Sequence, residues 1–164
     1  MVKKKDSDDK VTLVRTLHNM GYCSDVIGRY IDVQLEKNKV TRAEMATLSQ
    51  LYYSKNKTMT LKELCTALYR SPNAVSALIR KMEKAGFVTK FTDEKDRRFQ
   101  SVRLTKKGRD VHLLLQPVLE NISHDVLGNL SNKQLNYLSS TLMSIRNKLL
   151  TVTEIQTDLV LKYK

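Results

Sequence analysis

Hydrophobic residues recur at intervals of three and four positions over most of the chain, which is the period of an amphipathic helix. Such stripes cover residues 13–35, 45–51, 111–122 and 135–152. The chain has only two prolines and five glycines, so few residues interrupt a helix. The pattern predicts a mainly α fold.

Three of the predicted helices have a recognisable start. At Thr41, Thr60 and Ser131, a hydroxyl residue is followed three positions later by Glu or Gln, which is the spacing of a capping box. The first long helix is predicted at residues 10–38, after a flexible charged tail at residues 1–9.

A shorter helix is predicted from Ser71 to Ala85. Ser71 can cap the free amides of its first turn, and Pro72 suits the first helical position. Gly86 then provides a stop in the left-handed conformation. With the short helix that begins at Thr60, this segment predicts a helix-turn-helix. The apolar stripe of the second helix consists of Val75, Leu78, Ile79 and Met82.

A β-hairpin is predicted directly after this helix. Residues 87–92 are rich in aromatic and β-branched side chains, residues 93–98 form a charged turn, and Val102 and Leu104 alternate on one face of the second strand. Residues 54–58, which precede the helix-turn-helix, are predicted to be a polar loop.

Positive charge is concentrated in this part of the chain. Residues 70–109 contain twelve Lys or Arg and four acidic residues, a net charge of +8, whereas the whole chain carries +12. A clustered positive surface is typical of proteins that bind nucleic-acid phosphates. An ordinary amphipathic helix with a solvated basic face is the alternative. The exposed face of the predicted helix carries Asn73, Ala74, Ser76, Ala77, Arg80, Lys81 and Lys84.

Residues 58–109 resemble the winged-helix core of the MarR family of transcription regulators. The most specific part of the resemblance is the run DEKDRR at residues 93–98 followed by LTKKG at 104–108. The resemblance implies a winged helix-turn-helix at residues 41–104 within a single domain of residues 10–164, with dimerisation helices at 10–38 and 105–164. It also implies a homodimer that places one recognition helix per subunit in the DNA major groove and its wings in the flanking minor grooves.

The resemblance further implies roles for individual residues. In the recognition helix, Asn73, Ser76, Ala77 and Arg80 become base or phosphate contacts, and Arg98 becomes the wing-tip arginine, oriented by Asp96. The alternative for Asp96 and Arg98 is an exposed salt bridge that contributes little to stability. The full set of predicted DNA-binding residues is Ser71, Pro72, Asn73, Ala74, Ser76, Ala77, Arg80, Lys81, Lys84, Lys90, Lys95, Asp96, Arg97 and Arg98.

The C-terminal stripe has alternating steps of three and four, as in a coiled coil, and such a seam requires a partner helix. The partner can lie in the same chain or in a second subunit, and the long apolar helices at both ends favour a second subunit. The residues predicted to mediate dimerisation are Leu13, Leu17, Leu138, Leu142, Ile145 and Leu149.

The resemblance also suggests a pocket for a small aromatic effector, with plain core packing as the alternative for its residues. Cys23 is the candidate for a redox-sensing thiol, and packing is the alternative for it. Both cysteines lack a disulfide or zinc pattern. The residues predicted to line the pocket are His18, Tyr22, Tyr30, Tyr52 and Met59.

No enzyme motif, metal site, cofactor site or membrane-length apolar run is found in the sequence. These absences favour a cytoplasmic, non-enzymatic protein. The resemblance implies a regulator that binds double-stranded DNA as a homodimer, acts as a repressor on an inverted-repeat operator and is released by a small aromatic ligand. The alternatives are a winged-helix module for protein or RNA contacts and a cysteine-based redox-sensing regulator.

Overall fold

The computed structural model describes the backbone of residues 2–92 and 100–152 and the side chains of residues 9–91 and 100–151. The chain divides into two compact units, Met1–Lys39 and Val40–Lys164. The elements are α1 (Val2–Glu36), α2 (Arg42–Tyr53), a 3-10 turn (Lys55–Lys57), β1 (Thr58–Thr60), α3 (Leu61–Leu68), α4 (Pro72–Lys84), β2 (Val88–Thr92), β3 (Gln100–Leu104), α5 (Lys106–Leu127) and α6 (Asn132–Val152).

The first unit consists mainly of helix α1. This helix begins at Val2, inside the segment that the sequence analysis assigned to a charged tail, so its predicted start was too late. The physical reason is that no glycine occurs before Gly21 and no proline before Pro72, and lysine is a good helix former.

In the second unit, all three predicted capping boxes are present. Thr41 and Thr60 accept hydrogen bonds from the amides of Glu44 and Glu63, at 3.3 and 3.1 Å, and each glutamate accepts one from the backbone of its cap. Ser131 starts α6 in the same way. Because each box satisfies amides that have no partner within the helix, the starts of these helices are fixed locally.

The two-stranded hairpin predicted from the sequence is part of a three-stranded antiparallel sheet in the order β1-β3-β2. The sequence analysis placed Thr58 in a loop, but Thr58–Thr60 pairs with Ser101–Arg103. Three residues are too few to show an alternating pattern. The strand forms because β3 offers it a free edge.

One hydrophobic core joins the sheet to α2 and to the two helices of the helix-turn-helix, α3 and α4. The stripe predicted for α4 packs inwards: Val75, Ile79 and Met82 are fully buried, and Leu78 is partly buried. The same core includes Leu48, Leu51, Leu64, Val88, Val102 and Leu104.

The end of α4 and the start of α5 are joined by backbone contacts. Gly86 ends α4 with a φ of 76°, as the sequence predicted. The Thr105 hydroxyl donates to the carbonyl of Gly86 at 2.7 Å and lies 3.0 Å from that of Phe87, and it accepts a bond from the Gly108 amide at 2.9 Å. We call this junction the Thr105–Gly108 lock. The Lys107 ammonium also donates to the Ala85 carbonyl, at 2.7 Å.

Gly108 allows this close approach because it has no side chain. A Cβ atom at this position would lie 2.1 Å from the Phe87 carbonyl oxygen, which is backbone and cannot move aside alone. Any other residue would therefore push α5 away from the start of β2.

We predict that Gly108→Ala lowers the free energy of unfolding by about 1–3 kcal/mol, because the added methyl group overpacks the lock. Urea denaturation monitored by circular dichroism measures the change. Gly21→Ala is the matched control: a Cβ atom there meets nothing within 4 Å, so the variant should gain about 0.5–1 kcal/mol from helix propensity. Equal stabilities of the two variants would contradict the close approach at Gly108.

Candidate nucleic-acid interface

Helix α4 starts as the sequence predicted. The Ser71 hydroxyl accepts a hydrogen bond from the Ala74 amide at 3.4 Å, and Pro72 occupies the first turn. Ser71 and Pro72 are both exposed. The cap fixes where the helix begins and therefore which side chains lie on its outer face.

The outer face of α4 is exposed, as its buried stripe requires. Small or hydrogen-bonding side chains occupy its first half, and cations occupy its second half. Ser76 is half-buried, and the exposed residues are Asn73, Ala74, Ala77, Arg80, Lys81 and Lys84. The structure thus presents the α4 candidates together on one surface.

Lys81 is committed to an ion pair. Its ammonium lies 3.1 Å from a carboxylate oxygen of Glu44, which is 3% exposed. Burial by itself raises the pKa of Glu44, but hydrogen bonds from Thr41 and the ammonium of Lys81 outweigh it, and the net effect lowers the pKa. Glu44 therefore stays ionised, and Lys81 offsets its charge. A buried carboxylate deprived of its partner is costly.

Lys90 is also paired. Its ammonium lies 2.9 Å from one carboxylate oxygen of Glu83, and its backbone amide donates to the other at 3.2 Å. The hydrogen bond from Lys90 lowers the pKa of Glu83. Because Glu83 belongs to α4 and Lys90 to β2, the pair joins α4 to the base of the β2–β3 hairpin.

Arg80 and Lys84 differ from these two lysines. Within residues 9–91 and 100–151, neither has an ion-pair partner, and both are exposed. Fewer cations near the outer face are therefore free to bind phosphate than the number of lysines and arginines in the sequence indicated. The free cations lie on the second half of α4.

The predicted contacts at the tip of the wing lie outside the described residues. They are Lys95, Asp96, Arg97 and Arg98.

Known proteins share this arrangement of a capped helix α4 beside a three-stranded sheet. Residues 40–99 match the sequence model of the MarR family. This segment is therefore similar to the MarR family, as the sequence motifs indicated. Members of the MarR family are transcription regulators.

Individual proteins that resemble this chain are distant in sequence. The transcriptional activatory protein BadR of Rhodopseudomonas palustris is 29% identical over 142 residues, which is 85% of this chain and 81% of BadR. The MarR-family regulator Sco3205 of Streptomyces coelicolor, solved in complex with DNA, has a TM-score of 0.78 and 18% identity, with 82% and 85% of the two chains covered. Bordetella bronchiseptica BpsR, whose DNA binding is regulated by 6-hydroxynicotinic acid, has a TM-score of 0.73 and 19% identity, with 80% and 98% covered. The structural likenesses establish the fold.

The residues predicted for dimerisation present apolar side chains to solvent. Leu13 and Leu17 on α1 are 70% and 67% exposed. On α6, Leu138, Leu142 and Leu149 are exposed, and Ile145 is half-buried.

The residues predicted for an effector pocket divide between the two units. On α1, His18 and Tyr22 are exposed and Tyr30 is half-buried. In the second unit, Tyr52 and Met59 are half-buried and pack against the hydrophobic core. Cys23, the redox candidate, is exposed on α1.

His112, which was not predicted as a site residue, is the aromatic partner of Tyr52. The two rings stack with their centroids 4.2 Å apart, and Tyr53 approaches the imidazole edge-on at 5.7 Å. His112 is 2% exposed, and its Nε2 has no hydrogen-bond partner among the described residues. Its position one step after Val111 on the inner side of α5 was the only signal in the sequence.

Two kinds of feature are absent from the described residues. They contain no cluster of His, Cys, Asp or Glu that could hold a metal ion. They also contain no helix with the length and hydrophobicity that a membrane span requires.

We predict that His112 makes stability depend on pH. Burial lowers the pKa of His112, and the charge of Lys57 lowers it further. The folded state therefore binds a proton less readily than the unfolded state. The stability that the neutral imidazole contributes should be fully present above its ordinary pKa of 6.5 and should be lost as the pH falls through and below that value.

Urea denaturation at several pH values tests this prediction. In His112→Phe, the free energy of unfolding should fall less steeply than in the wild type as the pH decreases. His18→Gln removes an exposed histidine and should leave the wild-type slope unchanged. A wild-type slope that survives in His112→Phe would show that other groups cause it.

Proposed function

We propose that this protein is a MarR-family transcription regulator that binds double-stranded DNA sequence-specifically, as a homodimer on an inverted-repeat operator. The observation that carries the proposal is the outer face of α4, where Asn73, Ala77 and Ser76 are followed by the unpaired cations Arg80 and Lys84. A helix is about 10–12 Å wide with its side chains, and the major groove is about 12 Å wide. Small side chains at the front of the helix permit close approach to base edges.

The wing supplies a second contact in this proposal. Lys90 is fixed to Glu83 at the wing base, so the hairpin has a defined direction relative to α4. Arg98 would enter a minor groove flanking the site, where narrow A·T-rich sequences have the most negative potential. Lys95 and Arg97 would contact phosphates beside it.

Dimerisation is proposed from the apolar side chains that α1 and α6 expose. A single helix-turn-helix covers few base pairs, whereas two subunits related by a two-fold axis read half-sites about one helical turn apart. A second copy of the chain would cover Leu13, Leu17, Leu138, Leu142 and Leu149.

An aromatic effector is proposed to release the DNA. The support is that BpsR is regulated by 6-hydroxynicotinic acid, and that this chain has aromatic side chains, Tyr52 and His112 among them, next to its winged-helix core.

Repression follows if the dimer blocks polymerase at its operator. BadR is named an activatory protein, so activation is the second candidate. Transcription from an operator-controlled reporter, with and without the regulator gene, shows whether the protein represses or activates.

A winged helix used for protein or RNA contacts is the competing function. A protein-binding face would expose a contiguous apolar surface on α4, but the outer face of α4 is polar and basic. Selection of bound sequences from random DNA duplexes by the purified protein tests the proposed function directly. The protein should enrich one inverted repeat.

The unpaired cations give a first prediction for DNA binding. Each lysine that neutralises a phosphate adds about 1 to the slope of log affinity against log salt concentration, so Lys84→Gln should reduce this slope by about 1. Lys81→Gln should leave the slope unchanged, because the charge of Lys81 is offset by Glu44. Fluorescence anisotropy at several salt concentrations measures both slopes.

The double variant Glu44→Gln/Lys81→Gln is the control for folding, because it removes the pair without leaving a buried charge. It should be more stable than Lys81→Gln alone by about 1–3 kcal/mol. A slope that falls equally for Lys81→Gln and Lys84→Gln would assign Lys81 to a phosphate.

The exposed apolar seam gives a second prediction. Leu142→Asp should place an unpaired charge in the subunit interface and prevent dimerisation, and affinity for the inverted repeat should fall to the non-specific level. Sedimentation and anisotropy measure the two effects. Asn147→Asp, at an exposed polar position of α6, is the control and should stay dimeric. A dimeric Leu142→Asp would show that the interface lies elsewhere.

A further inference from the structure

The sheet face that packs against the helices changes from apolar to polar toward the wing. Val88 faces the core with Leu104, and Lys90 lies beside Val102 on the same side. Val88, Val102 and Leu104 are buried, whereas Lys90 is half-buried and Gln100 is exposed. The apolar contact with the helices therefore ends where the wing begins.

A small cavity of 120 Å³ lies at this point, between α4 and the base of the wing. We call it the α4–wing notch. Its apolar walls are Leu61 and Ile79, and its polar lining consists of Ser76, Arg80, Lys90 and Gln100. This is room for about four water molecules. Two oxygens of one phosphate group therefore fit in it.

The charge of the notch is positive. Lys90 and Glu83 neutralise each other, and both carboxylate oxygens of Glu83 point to Lys90. Arg80 has no ion-pair partner among the described residues. The Gln100 amide and the Ser76 hydroxyl supply further donors. The lining therefore combines one free cation with neutral hydrogen-bond donors, which suits a singly charged anion.

The course of the DNA backbone identifies that anion. In the proposed complex α4 lies in the major groove and the wing in the adjacent minor groove, and one sugar-phosphate strand separates these two grooves. That strand must pass over the junction between α4 and the wing. The notch is the concave site at this junction.

We propose that the α4–wing notch binds one phosphate of the DNA strand that separates the major from the minor groove, with Arg80, Gln100 and Ser76 as its donors. The inference rests on the proposed function and assigns Arg80 to the backbone instead of a base. Base readout is then left to Asn73, Ala77 and their neighbours in the first half of α4.

Gln100→Glu tests the notch, because it replaces a donor with a carboxylate of the same shape. Affinity for the selected operator should fall about tenfold, equally for all operator variants, and the salt slope should fall by about 1. Thr89→Glu is the matched control: it adds the same charge at an exposed position of the neighbouring strand, on the opposite sheet face. Its effect should be several-fold smaller.

A second measurement uses operator duplexes in which single phosphates are replaced by neutral methylphosphonates. With the wild-type protein, one position per half-site should reproduce most of the loss seen with Gln100→Glu. With Gln100→Glu, neutralising that position should cause no further loss and should restore part of the affinity. Gln100→Lys should bind at least as tightly as the wild type and have a steeper salt slope.

The outcomes separate this inference from the function on which it rests. If the wild-type protein selects no DNA sequence, the proposed function is wrong. If it selects an operator but Gln100→Glu matches Thr89→Glu, and Gln100→Lys does not alter the salt slope, the notch does not bind a phosphate. If Arg80→Ala changes the base preference, Arg80 contacts a base and the inference is overturned.

Discussion

The placement of helix α4 depends on one close backbone approach, where Gly108 at the start of α5 meets the carbonyl of Phe87. At this lock the end of α4, the beginning of β2, the end of β3 and the first turn of α5 come together. Thr105 is hydrogen-bonded to backbone atoms on both sides of the crossing. The core stripe of α4 decides which face is buried, Gly86 ends the helix, and the lock holds that end against the start of α5.

Local signals in the sequence were sufficient to predict most of the fold. Capping boxes and proline and glycine positions act within one turn of a helix, so the starts of α2, α3, α4 and α6 could be predicted without tertiary information. The strand β1 could not be predicted, because its three residues become a strand only through pairing with β3. The start of α1 was predicted too late, because a charged segment was interpreted as a tail although its residues favour a helix.

The sequence predicted which residues of the candidate interface are exposed, but it did not predict which of its cations are paired with acidic residues. The period of α4 identifies its outer face. Whether Lys81 is free depends on Glu44, which lies 37 positions earlier in the chain, and no local rule connects the two. The same holds for His112, which meets Tyr52 only after α2 and α5 pack together. Sequence patterns thus predict exposure well, and pairing across elements poorly.

The Thr105–Gly108 lock lies at one end of a long helix. The 22 residues of α5 span about 33 Å, at a rise of about 1.5 Å per residue. If α5 tilts as a rigid rod about the lock, a displacement of roughly 6 Å at its far end corresponds to a rotation of only about 10° at the lock. A displacement at the far end of α5 therefore produces only a small displacement beside the lock, where α5 meets the end of α4. A regulator built in this way would tolerate thermal motion at the far end of α5 and respond only to large displacements there.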